Sequence, residues 1–115
     1  MKVVEMYYIF RIVDMDRAVR FWEQALGLVT RLKTPQWSEL ACGAAIVALH
    51  HRGTGRPLRT ELGFDVDDIE SACDSVKRAG GKVVEAATVR AGERIKLAVV
   101  ADTDGNEFMF SQSIG

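Results

Sequence analysis

The stretch "VDMDRAVRFWEQALGLV", residues 13–29, decides the fold, because "VDDIESACDSVKRAGGKV", residues 66–83, repeats its plan. Each opens with Val-Asp at the end of an apolar, strand-like run, continues as an amphipathic pattern and stops at glycine: Gly27 in one, Gly80-Gly81 in the other. Such a recurrence in a short chain marks two copies of one supersecondary unit. In the first copy Ala18, Val19, Trp22 and Leu26 recur at helical spacing, Phe21 and Ala25 widen the stripe, and Asp16 is the expected N-cap. In the second, the helix is expected to start near Asp68, bury Ile69, Ala72, Cys73 and Val76, and end on a left-handed glycine. Both stripes read as core.

Around the helices the apolar period falls to two. Strands are expected at Lys2–Val13 and Leu62–Val66 before the helices. Leu28–Leu32, Trp37–Ala41 and Ala44–His50 follow the first helix, with turns at Thr34-Pro35 and Cys42-Gly43. Lys82–Val89, Arg94–Val100 and Asn106–Ser111 follow the second, with turns at Ala91-Gly92 and Asp102–Gly105. The predicted class is α+β: two βαβββ modules, about residues 1–52 and 60–115, with a linker at 53–59 that overlaps "HRGTGRP" (His51–Pro57). Each module should form a curled, cup-shaped mixed sheet with its helix on the outer face. The concave face is then the place for function.

The 115 residues suit a single domain, and 48% apolar with 27% charged residues suits a soluble globular one. Fifteen basic against sixteen acidic residues give no electrostatic footprint for nucleic acid. Cys42 and Cys73 fit neither a metal-ligand spacing nor a disulfide framework. The apolar run at residues 3–13 is broken by Glu5 and Arg11, too short for a membrane span or signal peptide. A cytoplasmic protein with no membrane partner is expected.

Alternation divides each strand into two faces. Met6, Tyr8, Phe10 and Ile12 suit the helix side, leaving Glu5, Tyr7, Ile9 and Arg11 for the cup. Trp37 and Glu39, Ala48 and His50, Glu61 and Gly63, and Glu107, Met109 and Ser111 join them from the other strands. Aromatic and thioether walls with a few charged points compose either a small-molecule site or a subunit interface. Trp37 reads as a stacking platform or a rim residue, Tyr7 as a hydrogen-bond donor or a wall. His50 reads as a general base or a solvated rim residue. The carboxylates of the Asp102–Gly105 turn are expected to bond their own backbone.

Four segments in order, "RIVDMDRAVRFWEQALGL" (residues 11–28), "CGAAIVALH" (42–50), "GFDVDDIESACDSVKRAGGKV" (63–83) and "DTDGN" (102–106), make the chain resemble the vicinal oxygen chelate superfamily over essentially its whole length. That group contains glyoxalase I, bleomycin-resistance proteins, methylmalonyl-CoA epimerase and extradiol dioxygenases. The resemblance implies paired βαβββ modules, and homodimers whose cups form between subunits. It also implies that Arg11 grips an anionic group of the ligand; the alternative is an ion pair with Glu61 or Glu107. Metal-dependent members hold a divalent ion with one residue from each of four inward strands. Position by position those residues fall here on Tyr7, Ala48, Glu61 and Met109.

A methyl group donates nothing, a neutral phenol is a poor ligand, and a thioether suits soft ions. No resident metal is therefore expected. A divalent ion such as Zn, Ni, Fe or Mn would need shifted ligands at Glu5, His50 and Glu107. The expected function is a metal-free homodimer that binds a small aromatic or amphipathic compound through Tyr7, Ile9, Arg11, Trp37, Ala48, His50, Glu61, Glu107 and Met109, as in drug or metabolite sequestration. The alternatives are a lyase, epimerase or dioxygenase using shifted ligands or Glu61 as general base, and an interaction module whose cup is filled by a partner chain.

Overall fold

The computed structural model describes residues 1–52, 57–90 and 92–114. Its elements run β1 (Tyr7–Ile12), α1 (Met15–Leu26), β2 (Val29–Lys33), β3 (Trp37–Cys42), β4 (Ala45–His51), β5 (Arg59–Asp65), α2 (Ile69–Arg78), β6 (Lys82–Arg90), β7 (Ile95–Ala101) and β8 (Glu107–Ser113). Two four-stranded mixed sheets result, ordered β1-β4-β3-β2 and β5-β8-β7-β6. In each, the first strand is parallel to its neighbour and the rest are antiparallel. The α+β class and the two βαβββ modules stand as expected. Residues 53–56 of the expected linker and Ala91 of the expected Ala91-Gly92 turn lie outside the described residues.

Each helix covers one sheet, α1 over β2, β3 and β4, and α2 over β6, β7 and β8, and the helices also meet each other. The junction is aromatic. Trp22, fully buried, has its ring centroid 4.9 Å from those of both Phe10 and Phe108, and 6.2 Å from that of Phe64. Both modules thus share one hydrophobic core. Gly81 makes this closeness possible. A Cβ there would stand 2.4 Å from the Ala101 carbonyl and 2.6 Å from the Phe21 ring, inside van der Waals contact.

Four expectations need correction. First, α1 is capped by Asp14, not Asp16: the Asp14 Oδ1 accepts from Arg17 N at 3.1 Å, at the third helical position. The earlier start lets Met15 sit buried in the first turn and leaves Asp16 to pair with Lys33 at 2.7 Å. Asp68 caps α2 as expected, accepting from Ser71 N, and Gly80 follows its end with φ +94°.

Second, β1 begins at Tyr7, not Lys2, because its partner β4 begins only at Ala45 and pairs with it from Tyr7↔Ile46 onward. Phe10 and Ile12 go under α1, whereas Met6 is exposed and Tyr8 only partly covered. Third, the hairpin turn is Gly43-Ala44 rather than Cys42-Gly43, since Cys42 pairs with Ala45 and Gly43 supplies the positive φ of +58°. Moving a turn by one residue shifts the pairing by two, so every side chain keeps its face.

Fourth, only part of the Asp102–Gly105 turn serves itself. Asp102 Oδ1 accepts from Asp104 N and Asn106 N, as anticipated. Asp104 instead reaches into the first module, where its Oδ1 accepts from Val13 N at 2.9 Å and lies 3.5 Å from an Arg17 guanidinium nitrogen.

Candidate functional site

The face of the first sheet turned away from α1 is set by three rows of paired residues. Arg11, His50 and Trp37 form one row, Ile9, Ala48 and Glu39 the next, and Tyr7, Ile46 and Ala41 the third. Trp37 is the hub. Its ring lies edge-on to Tyr7 with centroids 6.1 Å apart and edge-on to His50 at 5.6 Å. Its indole N–H donates to Glu39 Oε2 at 2.8 Å, which fixes the ring plane.

Glu39 is in turn bound by Arg31, whose Nε donates to Glu39 Oε1 at 2.8 Å. The same guanidinium donates through both terminal nitrogens to Glu5, at 2.7 and 2.5 Å. Trp37 and Arg31 hold the Glu39 carboxyl below its usual range, and Arg31 does the same to Glu5. Both carboxylates raise the Arg31 guanidinium in return. Arg31 lies at a bulge: the β2–β3 register slips between Thr30 and Leu32, so Arg31 and Leu32 both stand on this face. Thr30 and Lys33 on either side bond Glu23 and Asp16 of α1, so they point the other way.

The second sheet has its own arrangement. Met109 pairs with Val99 and Gly63, and with Glu85, Thr88, Arg90 and Leu97 it lines a cavity of about 70 Å³. Arg59 bonds Glu85 at 2.8 Å and lies 3.4 Å from Glu107, near enough for charge attraction without a hydrogen bond. Glu61 is exposed on β5.

The expected site residues therefore fall into two groups. Tyr7, Ile9, Arg11, Trp37, Ala48 and His50 share the first sheet; Glu61, Glu107 and Met109 share the second, and the two sheets have no strand pair in common. The expected ion pair of Arg11 with Glu61 or Glu107 is not formed among the described residues. Ala48 takes its place on the cup face but is fully buried. It stands on β4, between the strands that carry Tyr7 and Trp37. The residues that sequence reasoning missed are Arg31, Arg59, Glu85 and Arg90. A bulge leaves no mark in a hydrophobic pattern, so nothing pointed to Arg31.

The four family ligand positions present a phenol, a methyl, a carboxylate and a thioether. Tyr7 and Ala48 stand on one sheet, Glu61 and Met109 on the other. Among the described residues no group of three or more His, Cys, Asp or Glu side chains is placed to hold a metal. Of the shifted donors, Glu5 is bonded by Arg31 and His50 Nδ1 accepts from Arg52 Nε at 3.2 Å, while Glu107 has Arg59 3.4 Å away and its buried Oε1 accepts no hydrogen bond from the described residues. This donor set does not fit a divalent ion. No described helix is long and apolar enough to cross a membrane.

Known proteins agree with the architecture. The model of the Glyoxalase/Bleomycin resistance protein/Dioxygenase superfamily matches residues 6–110. A probable lactoylglutathione lyase of Vibrio parahaemolyticus is 28% identical, with 87% of this chain and 83% of that protein aligned. A hypothetical protein of S. aureus superposes with a TM-score of 0.81 at 22% identity, covering 97% of this chain and 95% of its own. A glyoxalase/bleomycin resistance protein/dioxygenase family enzyme of Burkholderia phytofirmans PsJN gives 0.79 at 18% identity, covering 92% and 95%.

Proposed function

The chain belongs to the glyoxalase/bleomycin resistance protein/dioxygenase superfamily, and from that premise we propose that it is a metal-free, dimeric receptor for a small aromatic or amphipathic compound. The observation that carries the reading is the donor set. With Tyr7, Ala48, Glu61 and Met109 at the ligand positions there is no Lewis acid to polarise a substrate oxygen. What remains is an aromatic wall of Tyr7 and Trp37 with a fixed ring orientation, and a flexible thioether at Met109 that adapts to irregular apolar shapes.

A second copy of the chain completes the receptor. Tyr7, Ile9, Val29 and Leu32 leave apolar surface exposed on the concave side of the first sheet, and a partner's second sheet, bringing Glu61, Glu107 and Met109, would cover it. Arg11 is then free to hold an anionic group of the ligand by a two-pronged contact.

The test is a thermal-shift screen of chelator-treated protein against planar antibiotics and aromatic acids, since a tight ligand raises apparent stability. Hits that persist in chelator and vanish in Trp37→Ala support the reading. Shifts that need an added divalent ion contradict it.

One observation favours a second reading: curated relatives of Vibrio parahaemolyticus and Haemophilus influenzae are named probable lactoylglutathione lyase and lactoylglutathione lyase, at 28% and 27% identity. That activity here would need ligands recruited from Glu5, His50 and Glu107, or Glu61 as a metal-free base. A lyase assay with and without added Ni or Zn separates the two readings.

A further inference from the structure

The guanidinium of Arg31 sits in the concave face of the first sheet with no role in the family positions discussed above. We infer that Arg31 is the resident cation of this face: it takes up the two carboxylates, Glu5 and Glu39, that a dication would need, and through Glu39 it fixes the Trp37 ring as a wall for the ligand. The inference rests on the metal-free reading and deepens it.

Three observations carry it. The β2 register slips between Thr30 and Leu32, so Arg31 and Leu32 stand side by side on the concave face while Thr30 and Lys33 turn to α1. Bulges re-aim side chains in this way beside functional sites. The guanidinium then spends three of its five N–H donors on carboxylates that no other described cation contacts, at 2.5 to 2.8 Å. Finally, the bridge reaches from β2 to the segment before β1, the two opposite edges of the sheet. Ala48, on the strand between β1 and β3, is fully buried and brings only a methyl to this face. Alanine at a family ligand position and arginine at the bulge are two parts of one exchange, an internal monocation for an external dication.

Charge decides the rest. Glu5 and Glu39 facing each other without Arg31 would repel, and two carboxylates with water are a common way to hold a hard divalent ion. A neutral residue at position 31 should therefore turn the face into a weak metal site. A charged one without the planar fork should exclude metal yet release Trp37, because lysine cannot bridge both carboxylates with fixed geometry.

The experiment titrates Mn(II) alone into wild type, Arg31→Met, Arg31→Lys and the double variant Arg31→Met/Glu39→Gln, reading free Mn(II) by electron paramagnetic resonance. Fluorescence anisotropy of Trp37 is read in the same proteins, with Trp37→Phe giving the Trp22 background. The expected result is no binding to wild type or Arg31→Lys, at least tenfold tighter binding to Arg31→Met, and loss of that gain in the double variant. Trp37 anisotropy should fall in both single variants at position 31. If Arg31→Met gains no Mn(II) affinity and Trp37 stays fixed, the role assigned to Arg31 is wrong while the metal-free reading survives. Stoichiometric Mn(II) binding to wild type would overturn the metal-free reading itself. The Arg31 side chain is 38% exposed and Arg31→Lys keeps its charge, so neither substitution at this position opens the buried core.

Discussion

The side-chain amide of Asn106 donates to the main-chain carbonyl of Arg11 at 2.8 Å, across 95 positions of sequence. The same amide nitrogen bonds Asp102 Oδ2 at 3.1 Å, and its oxygen accepts from Leu58 N at 3.0 Å. Asn106 is buried, and so is Asp102. One residue thus ties the end of β1, the segment entering β5 and the turn before β8. It holds the strand that carries Tyr7 and the strand that carries Met109 in a fixed relation.

Asn106→Ala should cost about 2–3 kcal/mol, because it leaves the Arg11 carbonyl and the Leu58 amide without their partner in a buried setting. Urea denaturation followed by far-ultraviolet circular dichroism measures it. A loss below about 0.5 kcal/mol, the range of an ordinary surface change, would contradict the interlock.

Asp102 makes this interlock sensitive to pH. Burial raises its carboxyl to about 6, against the opposing pull of its bonds from Asn106 and Asp104. A carboxyl raised in the folded state binds its proton more tightly there than when unfolded. Its contribution is therefore full below about pH 4 and is lost as pH rises through 6; the shift corresponds to about 3 kcal/mol as an upper figure. Lowered groups such as Glu39 act in the opposite sense. The difference in melting temperature between wild type and Asp102→Asn, followed from pH 4 to 7, should shift against wild type as pH rises. A flat difference would place the Asp102 titration elsewhere.

Gly81→Ala should destabilise by about 1–3 kcal/mol through overpacking, since the new methyl meets a backbone carbonyl and two core side chains at once. Gly92→Ala is the control, with nothing within 4 Å of its Cβ position but a positive φ of +79° that strains any other residue. Gly81 is not in that strained region, so a greater loss at position 81 isolates the steric cost.

Trp37→Ala should weaken whatever planar compound the screen identifies by about tenfold, the order expected for one aromatic contact. Trp37→Phe should retain part of the affinity while losing the bond to Glu39. Isothermal titration at matched protein concentration reads both. Equal affinity in Trp37→Ala would move the ligand off the first sheet.

How much of this was legible follows from how locally each feature is encoded. The Val-Asp repeats, the Asp68 cap and the glycine stops are local, and the helices and modules followed from them. The faces of Tyr7, Trp37, Ala48 and Met109 followed from strand parity, which survived the one-residue error in the Gly43 turn. The choice between Asp14 and Asp16 as cap depends on where Met15 finds the core, a tertiary matter. The roles of Arg31 and Asp104 are set at longer range: one bonds Glu5 at the far edge of its sheet, and the other bonds a residue 91 positions away. The division of the expected site between two sheets, by contrast, follows from the modules themselves, since Tyr7 and Ala48 belong to the first and Glu61 and Met109 to the second.

Metal content is the deciding quantity. The protein, expressed with Zn, Ni, Fe and Mn supplied and purified without chelator, is dialysed and measured by inductively coupled plasma mass spectrometry. Trace, substoichiometric metal is the expected outcome, with ligand-induced thermal shifts unchanged by chelator. One tightly held divalent ion per chain, lost together with ligand binding when chelator is added, would contradict the proposal.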